Sequence, residues 1–418
     1  MTLLRKANGW GRAGTTRGVA AWKKRHSQQE ERTLMLAFGP HEYRERTARL
    51  RQQMAERGMD ALLVLNEANM HYLTGYAGYS EYVPQLALLG QNEGDPWLIL
   101  REMDIACATV TSYLPHSRIL GYPEKCIGSC RRNPWQAIGE LIRERIRSNR
   151  IGVELTAEGF GVKAHAALSN SVDLSKSIDA DGMISKLKLL KSPAELVYME
   201  QAGEIVDRAM QVGQLELVAG ARECDVAAAI VHALCTGTPE FPGGPSRFPT
   251  MPTGSPATAP HIKWSDARYV MGCQTNFELG AFRHRYCCAL SRTVFLGEPP
   301  ARSRYVHQAV LDGFLAAFET MRPGVTCGDV DRAFRRIFNT RGVRKESRIG
   351  YSIGIDWDDG GASLQEDDET VIQPNMTFHL IVGVWEKDDG YVFSETVRVT
   401  DRGAKSLSNM PRDLLVNP

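Results

Sequence analysis

A short segment of the chain occurs a second time 104 residues later, and this duplication limits the possible folds more than any other feature. The segments LVAGARECDVAAAI (217–230) and MRPGVTCGDVDRAF (321–334) share a glycine, an apolar residue, three variable positions and Asp-Val. Each follows a stretch of helical periodicity, so Gly220 and Gly324 are expected to end one helix, with the next starting near the aspartate. The pattern predicts an internally duplicated α+β domain; chance similarity over so short a match is the alternative.

The part of the chain before the duplication shows strands that alternate with helices. Residues 42–59 have the apolar spacing of an amphipathic helix, and ALLVL (61–65) follows as a short buried strand. PWLILR (96–101) and IGVEL (151–155) are further strand candidates, with the helical stretch WQAIGELIRERIRS between them. This alternation predicts an α/β domain with a mixed or parallel sheet.

A helix start marks the beginning of the second domain. Ser192 is suited to the N-cap position and Pro193 to the first helical position. We therefore expect an N-terminal α/β domain at 36–185 and an α+β domain at 186–418. Residues 1–34 carry seven Lys and Arg residues before the first acid and lack the apolar segment of a secretory signal, so we interpret them as a disordered tail or an over-extended start.

The overall composition limits the classes of partner. A net charge of +1 over 418 residues argues against nucleic acid or an anionic membrane as the main partner, and leaves small polar or zwitterionic substrates open. No apolar run approaches the ~20 residues needed to cross a bilayer. The nine cysteines are odd in number, and the pair Cys126 and Cys130 has no second pair at zinc-binding distance. Reduced thiols and a cytoplasmic location are the expectation.

A loop rich in proline, glycine, serine and threonine, PTMPTGSPATAPHIKW (249–264), delivers a histidine. Pro260 keeps the backbone extended immediately before His261. Histidine in such a place is suited to general acid/base work near neutral pH. An ordinary exposed loop histidine is the equally weighted alternative.

The stretch QTNFELGAFRHRYCCALSRTVFLG (274–297) reads as two strands joined by a short connection. Glu278 lies between two apolar residues, and a buried carboxylate in that position would have a shifted pKa of use in catalysis. A carboxylate on a solvent-facing side of the strand is the alternative. For Arg283, Arg285 and Arg292 we expect surface positions.

The last block contains a glycine-punctuated stretch (348–359) and two strand-like stretches, 375–385 and 390–400. Glu395 repeats the pattern of Glu278, an acid between strand residues. The G-x-x-x-x-G-K-[ST] phosphate-binding loop and the H-E-x-x-H zinc motif are missing from the sequence, so neither chemistry has support.

The order of these motifs resembles the pita-bread family of creatinase, prolidase, aminopeptidase P and methionine aminopeptidase. The resemblance covers most of the chain after residue 40 and rests on KLLKSPAEL, PTGSPATAPHIKW, FELGAFRHRYCCALSRTVFLG, GYSIGI, NMTFHLIVG and FSETVRVTDRG. It implies a creatinase/prolidase-like N-terminal domain followed by a pseudo-symmetric α+β catalytic domain, which would account for the duplication.

The metal-dependent members of that family hold two metal ions with Asp, Asp, His, Glu and Glu. Carried onto this sequence, those positions are Glu278, Ala289, Tyr351, Ile381 and Ser394. Alanine and isoleucine have no ligand atom, and tyrosine and serine are poor replacements for histidine and glutamate. The resemblance therefore implies a hydrolase with no metal and no other cofactor.

Several stretches, among them NMHYLTGYAGYSEYV (69–83) and RYCCALSRTVFLG, resemble ectoine hydrolase, the member that opens the cyclic amidine ring of ectoine. That resemblance implies a catalytic set of Glu278 as nucleophile, His261 as acid/base and Tyr351 as hydrogen-bond donor. It also implies a homodimer and substrate-binding aromatic residues, for which the candidates are Tyr76, Tyr79, Tyr82 and Trp385. Packing remains the alternative for the tyrosines.

Two other functions stay open at this point. A peptidase of the same family acting on X-Pro bonds is one, although without metals it has no evident nucleophilic water. A non-catalytic binding protein on the same fold is the other, and the loss of all five ligand identities favours it. The presence of both His261 and Glu278 favours a metal-free hydrolase.

Overall fold

The computed structural model describes residues 36–418 with the exception of Glu81, Glu93, Asp356 and Asp388. The tail predicted at 1–34 lies outside the described residues. Within the described part the chain divides into two compact units, the first ending at Ala180 and the second starting at Asp181.

That division falls five residues before the boundary expected from the sequence. The short helix at Met183–Lys188 belongs with the second unit, because Lys188 forms an ion pair with Asp359, and the adjacent Leu189 packs into a core of that unit. The N-cap expected at Ser192 is present: its side chain accepts a hydrogen bond from the Glu195 backbone, and the Glu195 carboxylate accepts one from the Ser192 backbone.

The first unit is built on one mixed six-stranded sheet in the order β4-β3-β2-β1-β5-β6. Its strands are β1 (Ala61–Val64), β2 (Leu86–Gly90), β3 (Trp97–Arg101), β4 (Ile119–Tyr122), β5 (Ile151–Val153) and β6 (Ile178–Asp179). Its helices are α1 (Pro40–Glu56), α2 (Glu67–Thr74), α3 (Ile105–Thr111), α4 (Pro134–Arg143) and α5 (Val162–Ser169). Apolar residues from the strands pack against α4 and α5 in one core, so the α/β prediction is confirmed.

The second unit combines helices with an eight-stranded sheet whose main path is β10-β11-β12-β9-β8-β7. Its helices are α6 (Met183–Lys188), α7 (Pro193–Glu216), α8 (Glu223–Thr236), α9 (Ala301–Thr320) and α10 (Cys327–Phe338). Its strands are β7 (Gly244–Pro245), β8 (Gln274–Arg283), β9 (Tyr286–Leu296), β10 (Gly350–Ser352), β11 (Thr377–Trp385), β12 (Gly390–Thr400), β13 (Gly403–Ser406) and β14 (Leu415–Asn417). Strand β13 pairs with β12, and β14 pairs with β9.

The predicted duplication is confirmed in the second unit. Two helices lead into a long antiparallel hairpin twice, first as α7, α8, β8 and β9 and then as α9, α10, β11 and β12. The first helix of each half ends four residues before the glycine, because Leu217 and Met321 turn to extended ψ angles and are fully buried. Gly220 and Gly324, with φ of +86° and +91°, form the turn that follows and not the helix end itself.

Candidate active site

The register of the strands places five polar side chains of the second unit on one face of its sheet. Glu278 on β8 lies opposite Ser291 on β9, and Ser291 lies opposite Ser394 on β12. On the next strands His379 lies opposite Tyr351. Directly paired residues point to the same side of a sheet, as do residues two positions apart in one strand. The β12 position paired with His379 is two residues from Ser394, so all five side chains share one face.

Glu278 is held by the loop that precedes its strand. Its backbone N–H donates to the Thr250 carbonyl at 3.1 Å and its carbonyl accepts from the Thr250 N–H at 3.2 Å. Since Thr250 takes both backbone groups, Glu278 and Ser291 form a non-hydrogen-bonded pair, the type in which facing side chains come closest. The Thr250 hydroxyl also donates to Glu278 Oε2 at 3.4 Å.

The carboxyl group of Glu278 is partly buried. Burial raises its pKa, while the positive charge of Arg247, the imidazole of His261 and the Thr250 hydroxyl act in the opposite direction. A carboxyl group whose pKa is raised by burial is, once ionised, a stronger base and nucleophile than one in water. A functional role for the acid at this strand position stays a prediction.

His261 returns to Glu278 because its loop is pinned at both ends. Isolated bridges pair Thr250 with Glu278 and Thr253 with Thr275, both on the β8 edge. The Met251 N–H then donates to the Ile262 carbonyl at 2.9 Å, which brings the end of the loop back beside its start. The His261 side chain is exposed and close enough to act electrostatically on the Glu278 carboxyl.

A chain of hydrogen bonds runs across the same face. Trp357 Nε1 donates to Tyr351 Oη at 2.6 Å, and Tyr351 Oη lies 3.1 Å from His379 Nδ1. His379 Nε2 lies 2.8 Å from Ser394 Oγ, and Ser394 Oγ donates to Ser291 Oγ at 2.9 Å. Because indole can only donate, the phenol proton is free to go to Nδ1, which leaves Nε2–H to donate to Ser394. The donors therefore all point the same way, from Trp357 to Ser291.

The groups in this chain are neutral. His379 is buried, and that burial lowers its pKa to about 3. Burial and the negative charge of Glu278 raise the pKa of Tyr351 well above its ordinary value, so the phenol keeps its proton. Two guanidinium groups flank the chain: Arg348 lies 4.2 Å above the Tyr351 ring, and Arg247 lies 4.3 Å above the Trp357 ring.

The side chains on this face do not fit a pair of divalent metal ions. Of the five ligand positions implied by the sequence resemblance, Ala289 and Ile381 have no donor atom. Tyr351 and Ser394 direct their oxygens into the hydrogen-bond chain, to His379 and its neighbours. Over the part of the chain that the structure describes, no three or more His, Cys, Asp or Glu side chains are grouped as a metal site requires.

Glu395 shares the sequence pattern of Glu278 but points to the opposite face. It is 1% exposed and accepts from Arg292 at 3.1 Å and from both Arg412 Nε and Nη2, at 3.0 and 2.8 Å. The surface position expected for Arg292 is wrong, since it is also 1% exposed and bonds the Ser291 and Ser394 carbonyls. This ion pair therefore stabilises β9 and β12, the strands that carry Ser291 and Ser394, on the opposite face of the sheet.

Of the four aromatic residues expected to bind substrate, one lies on a strand of this sheet and three lie in the first unit. Trp385 ends β11, six positions beyond His379, or about 20 Å along the strand. The other three belong to the first unit, where Tyr76 is buried. Tyr79 and Tyr82 are 81% and 72% exposed, and the Tyr82 hydroxyl accepts from Arg101 at 2.8 Å.

Sequence reasoning missed three residues of this face: His379, Trp357 and Arg247. A signal existed for His379, which lies two positions before Ile381 in a strand and must therefore share its face. No comparable signal existed for Trp357 or Arg247, because both lie outside the strands and reach the site through irregular backbone.

Comparison with known proteins places the chain among hydrolases. The model of metallopeptidase family M24 matches residues 197–401, and that of the creatinase/prolidase N-terminal domain matches residues 46–189. An uncharacterised hydrolase/peptidase of Sinorhizobium fredii is 36% identical over 91% of this chain and 99% of its own length. The ectoine hydrolase of Halomonas elongata is 33% identical over 92% of this chain and 99% of its own length.

Solved structures agree on the fold. The prolidase from Pyrococcus horikoshii superposes with a TM-score of 0.76 at 22% identity, over 89% of this chain and all of that one. The two-domain architecture expected from the sequence resemblance is thus confirmed. The matched domains and the full-length relatives together show that this chain belongs to the metallopeptidase M24 family, with a creatinase/prolidase N-terminal domain before its pita-bread domain.

Proposed function

We propose that this protein is a metal-independent hydrolase that opens a small cyclic amidine, with ectoine as the first candidate, using Glu278 as nucleophile and His261 as acid and base. The single observation that carries this proposal is the loop that returns His261 to the partly buried Glu278. The 33% identity to an ectoine hydrolase supports the choice of substrate.

In the first step, a Glu278 oxygen attacks the amidinium carbon, which lies between two nitrogens and carries positive charge. A C–O bond forms, and one C–N bond breaks as imidazolium at His261 donates its proton to the leaving nitrogen. The enzyme then holds the ring-opened substrate as an imidate ester of Glu278. The cationic ring itself favours the ionised form of Glu278, which burial disfavours.

In the second step, neutral His261 accepts a proton from water, and the hydroxide attacks the imidate carbon. The C–O bond to Glu278 breaks, the carboxylate is regenerated, and the product is an amide that still carries the freed amine. For ectoine this product is an N-acetylated diaminobutyrate. For Tyr351, which keeps its proton, we propose a hydrogen bond to the tetrahedral intermediate of either step, which requires that proton to turn from His379 Nδ1 to the substrate.

The test is turnover of ectoine by purified protein treated with a strong chelator, followed by mass spectrometry of the product. We expect ring opening to persist after chelation, and Glu278→Gln to abolish it. Glu319→Gln, an exposed carboxylate on α9, is the matched control and should keep full activity. Substantial turnover by Glu278→Gln would exclude the covalent scheme, and restoration of lost activity by zinc, manganese or cobalt would exclude metal independence.

A peptidase acting on X-Pro bonds is the second candidate, supported by a Xaa-Pro dipeptidase of Pyrococcus furiosus that is 26% identical over 89% of this chain. Release of proline from Ala-Pro, with no ring opening of ectoine, would favour it. A protein that binds ectoine tightly but never turns it over would instead be the non-catalytic binding module.

We also propose a homodimer that uses the first unit. Tyr79 and Tyr82 expose large aromatic surfaces in one loop, a composition typical of protein contacts. Light scattering after size-exclusion chromatography should give twice the chain mass, and replacing both tyrosines with serine should weaken the assembly. In the described residues, no helix is long and apolar enough to span a membrane.

A further inference from the structure

Arg247 lies beside the catalytic groups without being used by the steps above. Its guanidinium carbon is 4.3 Å above the Trp357 ring, so the planar group lies against the indole. The same indole donates to Tyr351. The positive charge of Arg247 lowers the pKa of Glu278, Tyr351 and His379, which means that it lies within electrostatic range of all three.

Two other arginines of this sheet are neutralised by protein carboxylates. Arg348 forms an ion pair with Asp358, and Arg292 one with Glu395. Arg247 differs from them, since no ion pair or hydrogen-bonded carboxylate is found for it within the described ranges of the chain. Its residue is exposed, so its donors are open to a ligand.

We propose that Arg247, whose guanidinium carbon lies over the Trp357 ring, binds a carboxylate of the substrate, so that the site takes small zwitterions with the cationic end at Glu278. This inference rests on the proposed function and adds the recognition group for the anionic end. Guanidinium presents paired donors that match the two oxygens of a carboxylate. Contact with the indole limits the motion of those donors before the substrate arrives, which lowers the entropy lost on binding.

Charge balance explains why both ends of the substrate are needed. A ligand with only a carboxylate would neutralise Arg247 and remove a cation that keeps Glu278 ionised. A ligand with only a cationic ring would approach Glu278 against the repulsion of Arg247. A zwitterion satisfies both groups at once, so discrimination against either half-charged analogue follows from the site itself.

The probes are two matched pairs, each differing only in the carboxylate. One pair is ectoine and 2-methyl-1,4,5,6-tetrahydropyrimidine, the same ring without its carboxylate. The other pair is Ala-Pro and Ala-pyrrolidide. Calorimetry measures binding of all four to the wild-type chain, to Arg247→Met, to Arg247→Lys, and to Arg336→Met, an exposed control on α10. Turnover of ectoine is measured separately.

We expect ectoine to bind the wild-type chain more tightly than its carboxylate-free ring by about 10- to 150-fold, the usual value of a hydrogen bond to a charged group. Arg247→Met should remove that preference and leave the affinity for the carboxylate-free ring unchanged or improved. Arg247→Lys should recover part of it, because the charge remains while the paired donors are lost. Arg336→Met should behave as the wild type.

The outcomes separate this inference from the proposed function. If ectoine neither binds nor reacts, but Ala-Pro binds better than Ala-pyrrolidide and loses that advantage in Arg247→Met, the carboxylate site stands while ring opening of ectoine falls. If ectoine is turned over, but binds the wild type and Arg247→Met with the same affinity, the proposed hydrolase function is supported and the carboxylate site is refuted. Absence of a carboxylate preference in both pairs would overturn the inference.

Discussion

Replacing His379 with glutamine should change how the stability of the protein depends on pH. His379 is fully buried, and its pKa is lowered from 6.5 to about 3 because burial penalises the charged ring. Below pH 6.5 the unfolded chain therefore binds a proton at this residue, whereas the folded chain stays neutral until about pH 3. Folding stability is lost across that interval as the pH falls, because protons favour the unfolded state.

The size of the effect follows from the two pKa values. At pH 4.5 the unfolded histidine is two units below its pKa and the folded one is still neutral, so the loss is about 2.7 kcal/mol at about 1.36 kcal/mol per unit. His379→Gln has no such proton to bind. The wild-type free energy of unfolding, minus that of the variant, should thus fall by about 2.7 kcal/mol between pH 8 and pH 4.5.

The assay is urea unfolding followed by circular dichroism at closely spaced pH values, with equal urea dependence required of both proteins. Other histidines whose pKa is lowered by burial, such as His284 and His307, are present in both proteins and cancel in the difference. His232→Gln on the exposed side of α8 controls for the substitution itself. A difference between wild type and His379→Gln that stays constant over this pH range would refute a neutral, buried His379.

Three further variants probe the support of the site. Trp357→Phe keeps a ring under Arg247 but loses the indole donor to Tyr351, so kcat should fall about 3- to 10-fold with little change in KM, measured by steady-state kinetics. Asp359→Asn leaves the buried ammonium groups of Lys188 and Lys191 without their shared carboxylate, and should cost about 3–5 kcal/mol in urea unfolding; a loss below 1 kcal/mol would contradict it. Glu395→Gln should cost a similar amount in the same measurement, because the partner charge of buried Arg292 is removed, and thermal melts unchanged from the wild type would contradict this.

The sequence was sufficient for the architecture because its periodicities and caps are local signals. The capping box at Ser192 and the duplicated glycine segments can each be recognised from a few neighbouring residues of the sequence. The failure to separate Glu278 from Glu395 has a physical cause. Strands β8 and β12, which carry the two acids, are buried over most of their length on both faces, so no regular alternation of exposed and buried residues marks which side holds the site.

The residues that the sequence could not supply depend on register and on irregular backbone. Thr250 reaches Glu278 only because the 249–264 loop runs along the edge of β8, a pairing between residues 28 apart. Trp357 reaches Tyr351 through the bend after β10. Neither contact follows from a repeat or a motif, since each is fixed by where the chain turns and not by which residue types it contains.

The metal independence that we propose requires other contacts to hold this face of the sheet together, and the hydrogen-bond chain supplies them. A metal pair would tie several strands together through charged ligands. In this chain the bonds between Tyr351, His379, Ser394 and Ser291 link β10, β11, β12 and β9 through neutral groups, each worth about 1 kcal/mol net. Because those groups carry no charge, they do not compete for a cationic ligand. Glu278 lies opposite Ser291, at the end of this row of side chains. Within the described residues, it is the carboxylate on that face that the cationic carbon of the proposed substrate would meet.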